Sequence, residues 1–428
     1  MSEQRLRRYG PRPYDDHPPF SYPDYRSTIL RAPDNDLVSV DQTLTETTGP
    51  GPAWSEVNGE DADLATNAGT GDAAIGERII VTGQVLDEEG LPLPSTLIEI
   101  WQANACGRYL HHEDAFDAPL DPNFLGVGRC LTDEEGVYRF TTIKPGASPW
   151  NNHPNAWRPA HIHFSLLGPS LGSRLVTQMY FPDDPLLGMD PMLNSIPAHA
   201  QPRLLAAYDH DVTEDHRALG YRWDIVVRGS AATPIEGEER MRGQTPSQTV
   251  GRYYSMSLGL PGENTMVPED APGRIRIEGK VLDGEGTQVE DALVEIWQSD
   301  PEGHYRHPND RGSVSGPFTG YGRAGTDTET GLYWFETSKP GPVPDPEGGL
   351  QAPHAAVIVQ ARGMLNPLFT RLYFSDEAEA NNGDLVLGKV PPGRRNTLVA
   401  KLQDGSDPPR YRFDIRLQGG DETVFFDF

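Results

Sequence analysis

The chain has 428 residues, enough for two or three domains with substantial cores, and its 45 glycines and 40 prolines call for many turns. The 36 Lys and Arg against 63 Asp and Glu leave a net charge of −27, which repels phosphate backbones, so nucleic acid is not an expected partner. Two cysteines, Cys106 and Cys130, cannot build a disulfide scaffold or a Cys-rich metal site.

No apolar run approaches the ~20 residues of a membrane span, so no membrane is expected. The opening M-S-E-Q-R-L-R-R-Y-G lacks the apolar centre of a secretory signal, and a cytoplasmic location is the expectation. In chain order, Arg78–Leu86 and Ser95–Trp101 place Val and Ile at strand spacing around the turn D-E-E-G, and Val137–Thr142 and Trp223–Arg228 read the same way. Helix is expected only around Ala200–Tyr208 and near the N-terminus. The stretch 76–146, with G-E-R-I-I-V-T-G-Q-V-L-D-E-E-G, L-I-E-I-W-Q-A-N-A-C-G-R-Y and G-V-G-R-C-L-T-D-E-E-G-V-Y-R-F-T-T-I-K-P-G, returns at 272–341. There it reads P-G-R-I-R-I-E-G-K-V-L-D-G-E-G, L-V-E-I-W-Q-S-D-P-E-G-H-Y and G-Y-G-R-A-G-T-D-T-E-T-G-L-Y-W-F-E-T-S-K-P-G, and Arg412–Gln418 answers Trp223–Arg228. The spacing from Tyr109 to Tyr305 nearly equals that from His161 to His354, which marks a duplicated domain. The join falls in polar Gly229–Thr245. The expected fold is all-β: two tandem β-sandwich domains, 1–235 and 236–428, with short helices and long loops.

The sharpest local signal is W-R-P-A-H-I-H, Trp157–His163. Residues i and i+2 of a strand share a face, so His161 and His163 present two imidazoles to one side. That spacing suits a shared metal ion; hydrogen-bonded strand histidines give the same pattern. The second copy has His354 followed by Ala356, which suggests one active and one supporting domain. Tyr109, in G-R-Y-L-H-H, offers an oxygen donor suited to ferric iron, although its counterpart Tyr305 leaves a structural role open. His111 and His112 read as exposed loop residues, and Trp101 and Trp297 as core. G-V-G-R-C and G-Y-G-R-A lack the strand–helix context of a dinucleotide site, so no flavin or nicotinamide is expected.

With these motifs in hand, the chain resembles the intradiol ring-cleaving dioxygenases, in their protocatechuate-cleaving branch. Asp16–Arg228 is similar to the iron-binding β subunit through H-P-P-F-S-Y-P-D-Y, G-E-R-I-I-V, W-Q-A-N-A-C-G-R-Y, L-D-P-N-F-L-G-V-G-R-C-L-T-D and W-R-P-A-H-I-H-F-S. Thr245–Phe428 is similar to the α subunit through T-P-S-Q-T-V-G-R-Y, A-R-G-M-L-N-P-L-F-T-R-L-Y-F and E-T-V-F-F-D-F. The resemblance implies non-haem Fe(III) held by Tyr109, His161 and His163. It also implies an axial tyrosinate from K-P-G-x-Y-P-W, but this chain reads K-P-G-A-S-P-W, with Ser148 there and Val343 in the second copy. A serine hydroxyl is too short and too weakly acidic to replace a phenolate, so water or hydroxide, or His153 swinging in, would fill that position. Three readings follow: an active dioxygenase using hydroxide as base, an altered substrate preference, or a diverged protein with weakened iron binding.

The resemblance further gives Arg158, Gln178 and Ser148 catalytic positions. It lines the substrate pocket with Tyr25, Trp150, Met192, Thr249, Gly251, Tyr253 and Arg362. A guanidinium such as Arg158 beside a cation is costly unless negative charge develops there, although a structural ion pair would also explain it; the second copy has Gln351. Arg362 and Tyr25 would meet a substrate carboxylate, which sets the pocket where the two domains meet. The implied reaction is O2-dependent cleavage of a catechol, protocatechuate or another acid-bearing one, to a cis,cis-muconate, in a homo-oligomer of fused chains. A zinc-dependent hydrolase using His161 and His163, and a non-catalytic sandwich protein, are the rival readings.

Overall fold

The structure, a computed structural model, describes residues 9–10, 12–51, 57–150, 157–229, 242–314, 316 and 318–428. His153 and most of the Gly229–Thr245 join lie outside these. Among the described residues no helix is long and apolar enough to cross a membrane.

The first half is two sheets face to face. One runs Val127–Leu131, Leu97–Trp101, His161–Leu167, Leu175–Tyr180, antiparallel throughout. The other is built around Arg78–Asp87, flanked by Val137–Ile143, Leu219–Arg222 and Ile225–Val227. Alternation does this: Ile79, Val81 and Val85 point inward onto Ile98, Ile100, Ile162 and Phe164 in one buried cluster. In the second half, Tyr321–Gly325, Ala292–Gln298, His354–Ala361 and Leu368–Phe374 repeat the first sheet. Val399–Gln403 then carries the hydrogen-bonded path on to Arg410–Arg412, Arg274–Gly279 and Tyr333–Ser338. Its core is a second, separate cluster around Ile277, Val294, Phe335 and Val357.

The repeat extends to backbone detail. A Cβ on Gly83 would sit 1.8 Å from the carbonyl oxygen of Trp223, which accepts the Tyr138 hydroxyl. A Cβ on Gly279 would sit 1.7 Å from that of Phe413, which accepts the Tyr333 hydroxyl. Only glycine permits either approach.

The halves meet sheet against sheet. Leu97, Leu167, Trp297, Ile358 and Phe369 share one cluster, and Trp101, Tyr109, Val250, Tyr254 and Leu293 another. Two bidentate ion pairs cross between them, fully buried. Arg323 meets Glu99 at 2.8 and 2.9 Å, and Arg174 meets Glu295 at 2.8 and 2.8 Å.

Four expectations shift. Ser95, at φ 55°, delays its strand to Leu97–Trp101. Trp223–Arg228 contracts to Ile225–Val227, and Arg412–Gln418 splits into Arg410–Arg412 and Ile415–Arg416. Ala200–Tyr208 forms only a 3-10 turn, Gln201–Leu204, before strand Ala207–Tyr208, whereas α-helical turns stand at Leu44–Thr47, Pro191–Asn194, Ala378–Gly383 and Leu385–Lys389. Three of these are fixed by capping side chains, Thr43, Asp190 and Asp384, not by apolar periodicity.

Candidate functional site

His161 and His163 open the strand His161–Leu167, which lies between Leu97–Trp101 and Leu175–Tyr180. The register sets Trp101 and Gln178 on either side of His163, and Tyr180 beside His161. The period of two puts both imidazoles on the face turned to the other half, with ring centroids 5.0 Å apart. His163 stacks on Trp101 at 4.8 Å and 10°. Tyr109 comes from a loop held by side chains. Asn104 Oδ1 accepts the amides of Cys106 and Arg108, and Asp114 Oδ2 accepts that of Tyr109 at 2.7 Å. The Tyr109 hydroxyl then lies 3.2 Å from His161 Nε2.

The electrostatics leave these groups poised to bind a cation. His161 Nδ1 donates to the carbonyl oxygen of Pro159 at 2.7 Å, so the lone pair is on Nε2. Burial, then the Arg158 guanidinium, pushes His161 down to about 3. Burial, then the neighbouring His161, holds His163 well below the usual imidazole range. Both rings are neutral at physiological pH. His163 Nδ1 is buried with no hydrogen-bond partner among the described residues. Burial raises the Tyr109 phenol far above its usual value, against the pull of Arg158, so ionisation there requires an added cation.

Among the described residues no group of three or more His, Cys, Asp or Glu could hold a metal ion. Among the described residues the tyrosine oxygen is the donor that stands beside the two imidazoles. One phenol and two neutral imidazoles fit a hard, charged metal such as ferric iron.

Arg158 is the hub beside this trio. Its Nη2 meets Asp190 Oδ2 at 2.8 Å, Gln178 Oε1 at 2.8 Å and the Tyr180 hydroxyl at 3.0 Å, while Nη1 lies 3.0 Å from His161 Nε2. The structural ion pair and the approach to the histidine thus coexist. Asp190, fully buried, was not singled out in the sequence, although D-P-M-L is an N-cap signature and Asp190 caps the turn carrying Met192. Ser148 is buried and pairs in register with Arg158 across a two-stranded ribbon.

The second half closes the site. Gln178 Nε2 donates to the Thr249 carbonyl at 3.0 Å, and the Tyr253 ring packs on Tyr109 at 4.6 Å. Gly251 has φ +78°, a conformation that favours glycine, and a Cβ there would lie 3.1 Å from His163 Cε1 and crowd that ring. Tyr25, Trp150 and Met192 form an adjoining cluster. The Tyr25 hydroxyl accepts the Gly363 amide at 2.8 Å and lies within electrostatic reach of both Arg158 and Arg362. Arg362 itself turns to Asp291, 2.7 Å from Nε, on the wall of a cleft of about 620 Å³ shared with Arg252, His111 and His112. His111, expected exposed, is half-buried and bonds Ser255 of the other half at 2.8 Å.

The equivalent hollow of the second half is filled. Thr45 bonds the Tyr305 hydroxyl at 2.9 Å and His354 Nε2 at 2.8 Å, and Arg371 is taken by Glu46, Thr43 and Gln351. Val343 and Ala356 complete an apolar wall. The signal was present: Q-T-x-x-E-T-x-G at Gln42–Gly49 and Q-T-x-x-Q-T-x-G at Gln244–Gly251 are two copies of one covering segment, each laid over the opposite hollow.

The sequence matches the family described as Dioxygenase over residues 50–229 and again 261–419. Residues 11–43 match the protocatechuate 3,4-dioxygenase beta subunit N-terminal family. The protocatechuate 3,4-dioxygenase beta chain of Burkholderia cepacia is 55% identical over 226 residues, which cover 53% of this chain and 96% of that protein. The alpha chain from Pseudomonas putida is 41% identical over 197 residues, 43% of this chain and 96% of that protein. The Burkholderia cepacia alpha chain is 45% identical over 197 residues, 43% of this chain and 97% of that protein.

Proposed function

The chain belongs to the intradiol ring-cleaving dioxygenases, a β-like half followed by an α-like half in one polypeptide, and from that premise we propose that it cleaves an acid-bearing catechol, protocatechuate or a close relative, with O2 to a cis,cis-muconate. The observation that carries the reading is the convergence of Tyr109 with His161, 3.2 Å apart, and with His163, beneath Gly251 of the other half. In this proposal Tyr109, His161 and His163 hold Fe(III), and the units are residues 1–235 and 236–428. An Fe(III) held by these three residues would supply Lewis-acid chemistry that activates a catechol towards O2.

The chain's own groups do the rest. Arg158, fixed by Asp190, sets a permanent positive charge where the ring and its oxygens turn anionic. Gln178, anchored on Arg158 and Thr249, orients the reacting face. Met192 and Trp150 supply apolar walls that keep water from the ring. Tyr25 and Arg362 receive the acid substituent, with Tyr253 covering Tyr109. Ser148 leaves solvent, rather than a phenol, to accept the second catechol proton. The family resemblance also supports a cytoplasmic homo-oligomer of fused chains.

The test is oxygen uptake by the iron-loaded full chain against a panel of catechols, with product mass spectrometry. A ring-opened product with two new carboxyl groups, carrying both atoms of O2 beside the original acid substituent, is expected. An aldehyde product, or no uptake on any catechol, would overturn the reading.

A further inference from the structure

A cavity of about 30 Å³ shares no residue with the Tyr109 site. It is lined by Arg12 and His17 of the N-terminal arm, Arg174 and Arg228 of the first half, Gln244 from the join and Asn366 from the second half. Among the described residues no carboxylate lines it. Arg174 is neutralised by Glu295 at 2.8 Å. Arg12 and Arg228 make no ion pair among the described residues: Arg12 lies 4.9 Å above the Phe369 ring, and Arg228 spends Nε and Nη2 on the Gly10 carbonyl oxygen. The acids that act on Arg228, Asp427 and Glu88, are half-buried and engaged by the Tyr14 hydroxyl and the Gly229 amide. Burial, then Arg12, lowers Arg228 to about 10 and His17 to about 4, so both feel positive charge that the wall does not answer. Two donors are also left over. Arg228 Nη1 and Gln244 Nε2 are buried with no hydrogen-bond partner among the described residues. The second follows from its neighbours. His17 Nδ1 accepts the Ser247 amide at 3.0 Å, so His17 Nε2 donates to Gln244 Oε1 at 2.9 Å and leaves the Gln244 amino group unspent.

We propose that this cavity is a halide site, with one chloride ion held by Arg12, Arg228 Nη1 and Gln244 Nε2. A halide accepts from both unspent donors and balances the guanidiniums, whereas a water brings no charge and needs acceptors of its own. A space of about 30 Å³ admits one or two atoms of water size, which suits a monatomic anion and excludes sulfate or phosphate. The ion ties the N-terminal arm to the root of Gln244–Gly251, the segment laid over Tyr109 and His163. Iron and catechol play no part in it, so the halide site stands or falls apart from the dioxygenase reading.

The experiment is urea unfolding of the full chain at a constant ionic strength of about 0.5 M, with sodium chloride replacing sodium gluconate so that screening stays fixed. The folding equilibrium constant should climb towards about tenfold per decade of chloride, the limiting slope for one ion taken up on folding. Arg12→Gln and Arg228→Gln should lose most of that slope. Arg139→Gln, which removes an exposed guanidinium outside the cavity, should keep it. Crystals of the wild type soaked in sodium bromide should show an anomalous peak beside Arg228 Nη1 and Gln244 Nε2, and this map decides the matter if either cavity variant fails to fold. A wild type indifferent to chloride, equal slopes in all four chains, or a cavity holding water with no bromide signal overturns the proposal.

Discussion

Replacing Arg174 with Met removes one arm of the crossed ion pairs between the halves, and its cost can be worked from the structure. Burial alone would raise the Glu295 carboxyl, but Arg174, and after it Arg323, hold it down at about 2. Against an ordinary value of 4.5, that depression is worth about 3 kcal/mol, present above the unfolded value and lost as pH falls towards 2. Arg174 supplies the larger share and also donates to the carbonyl oxygens of Leu166 and Leu175, at 3.2 and 3.0 Å. Losing both contributions should cost about 4 kcal/mol, within the range for breaking one partner of a buried pair. For a unit of this size that is roughly 10 °C in Tm. Arg174→Met/Glu295→Met, which removes both charges, should recover about 2 kcal/mol or more. Urea unfolding at pH 7.5, followed by circular dichroism and tryptophan fluorescence, reads both. A single-variant loss below about 1 kcal/mol, or a double variant no more stable than the single, would refute the argument.

Other outcomes follow from the same reasoning. Burial, then Arg12, pushes His17 down to about 4, and burial, then Arg371, does the same to His354. Both are neutral in the fold, so stability is complete above 6.5 and is lost as pH falls from there to 4, about 3 kcal/mol for each ring. Urea midpoints at pH 7 and 4.5 should show this, and His17→Asn, which can still accept the Ser247 amide, should flatten the slope; a midpoint unchanged over that interval counts against it. Gly251→Ala adds left-handed strain of about 1–2 kcal/mol and pushes on His163, so iron retention after dialysis should fall more than melting temperature does. Unaltered retention would mean that the covering segment does not press on the ligand.

Much of the candidate site was legible because it rests on the two-residue period of a strand and on comparison of two copies: His161 and His163 face one way, and Ala356 marks the copy without a second imidazole. The crossed carboxylates were not legible. L-I-E-I-W reads as a strand with one wet face, yet the strand is buried on both. Ile98 and Ile100 enter their own core, while Leu97, Glu99 and Trp101 face the other half. Periodicity tells which residues share a face, not what covers it. Leu385–Lys389 escaped because so short a helix has no periodicity to read, only the Asp384 cap. Asp190 and Asp291 act on arginines distant in sequence, and only the fold brings each pair together.

The most direct measurement is the visible spectrum of the iron-loaded chain beside that of Tyr109→Phe. With Tyr109 as the single tyrosinate, the wild type should show one phenolate-to-iron charge-transfer band, and the variant should lose it while keeping its fold by circular dichroism. An unchanged band in Tyr109→Phe, or a wild type that takes up no iron, would contradict the account.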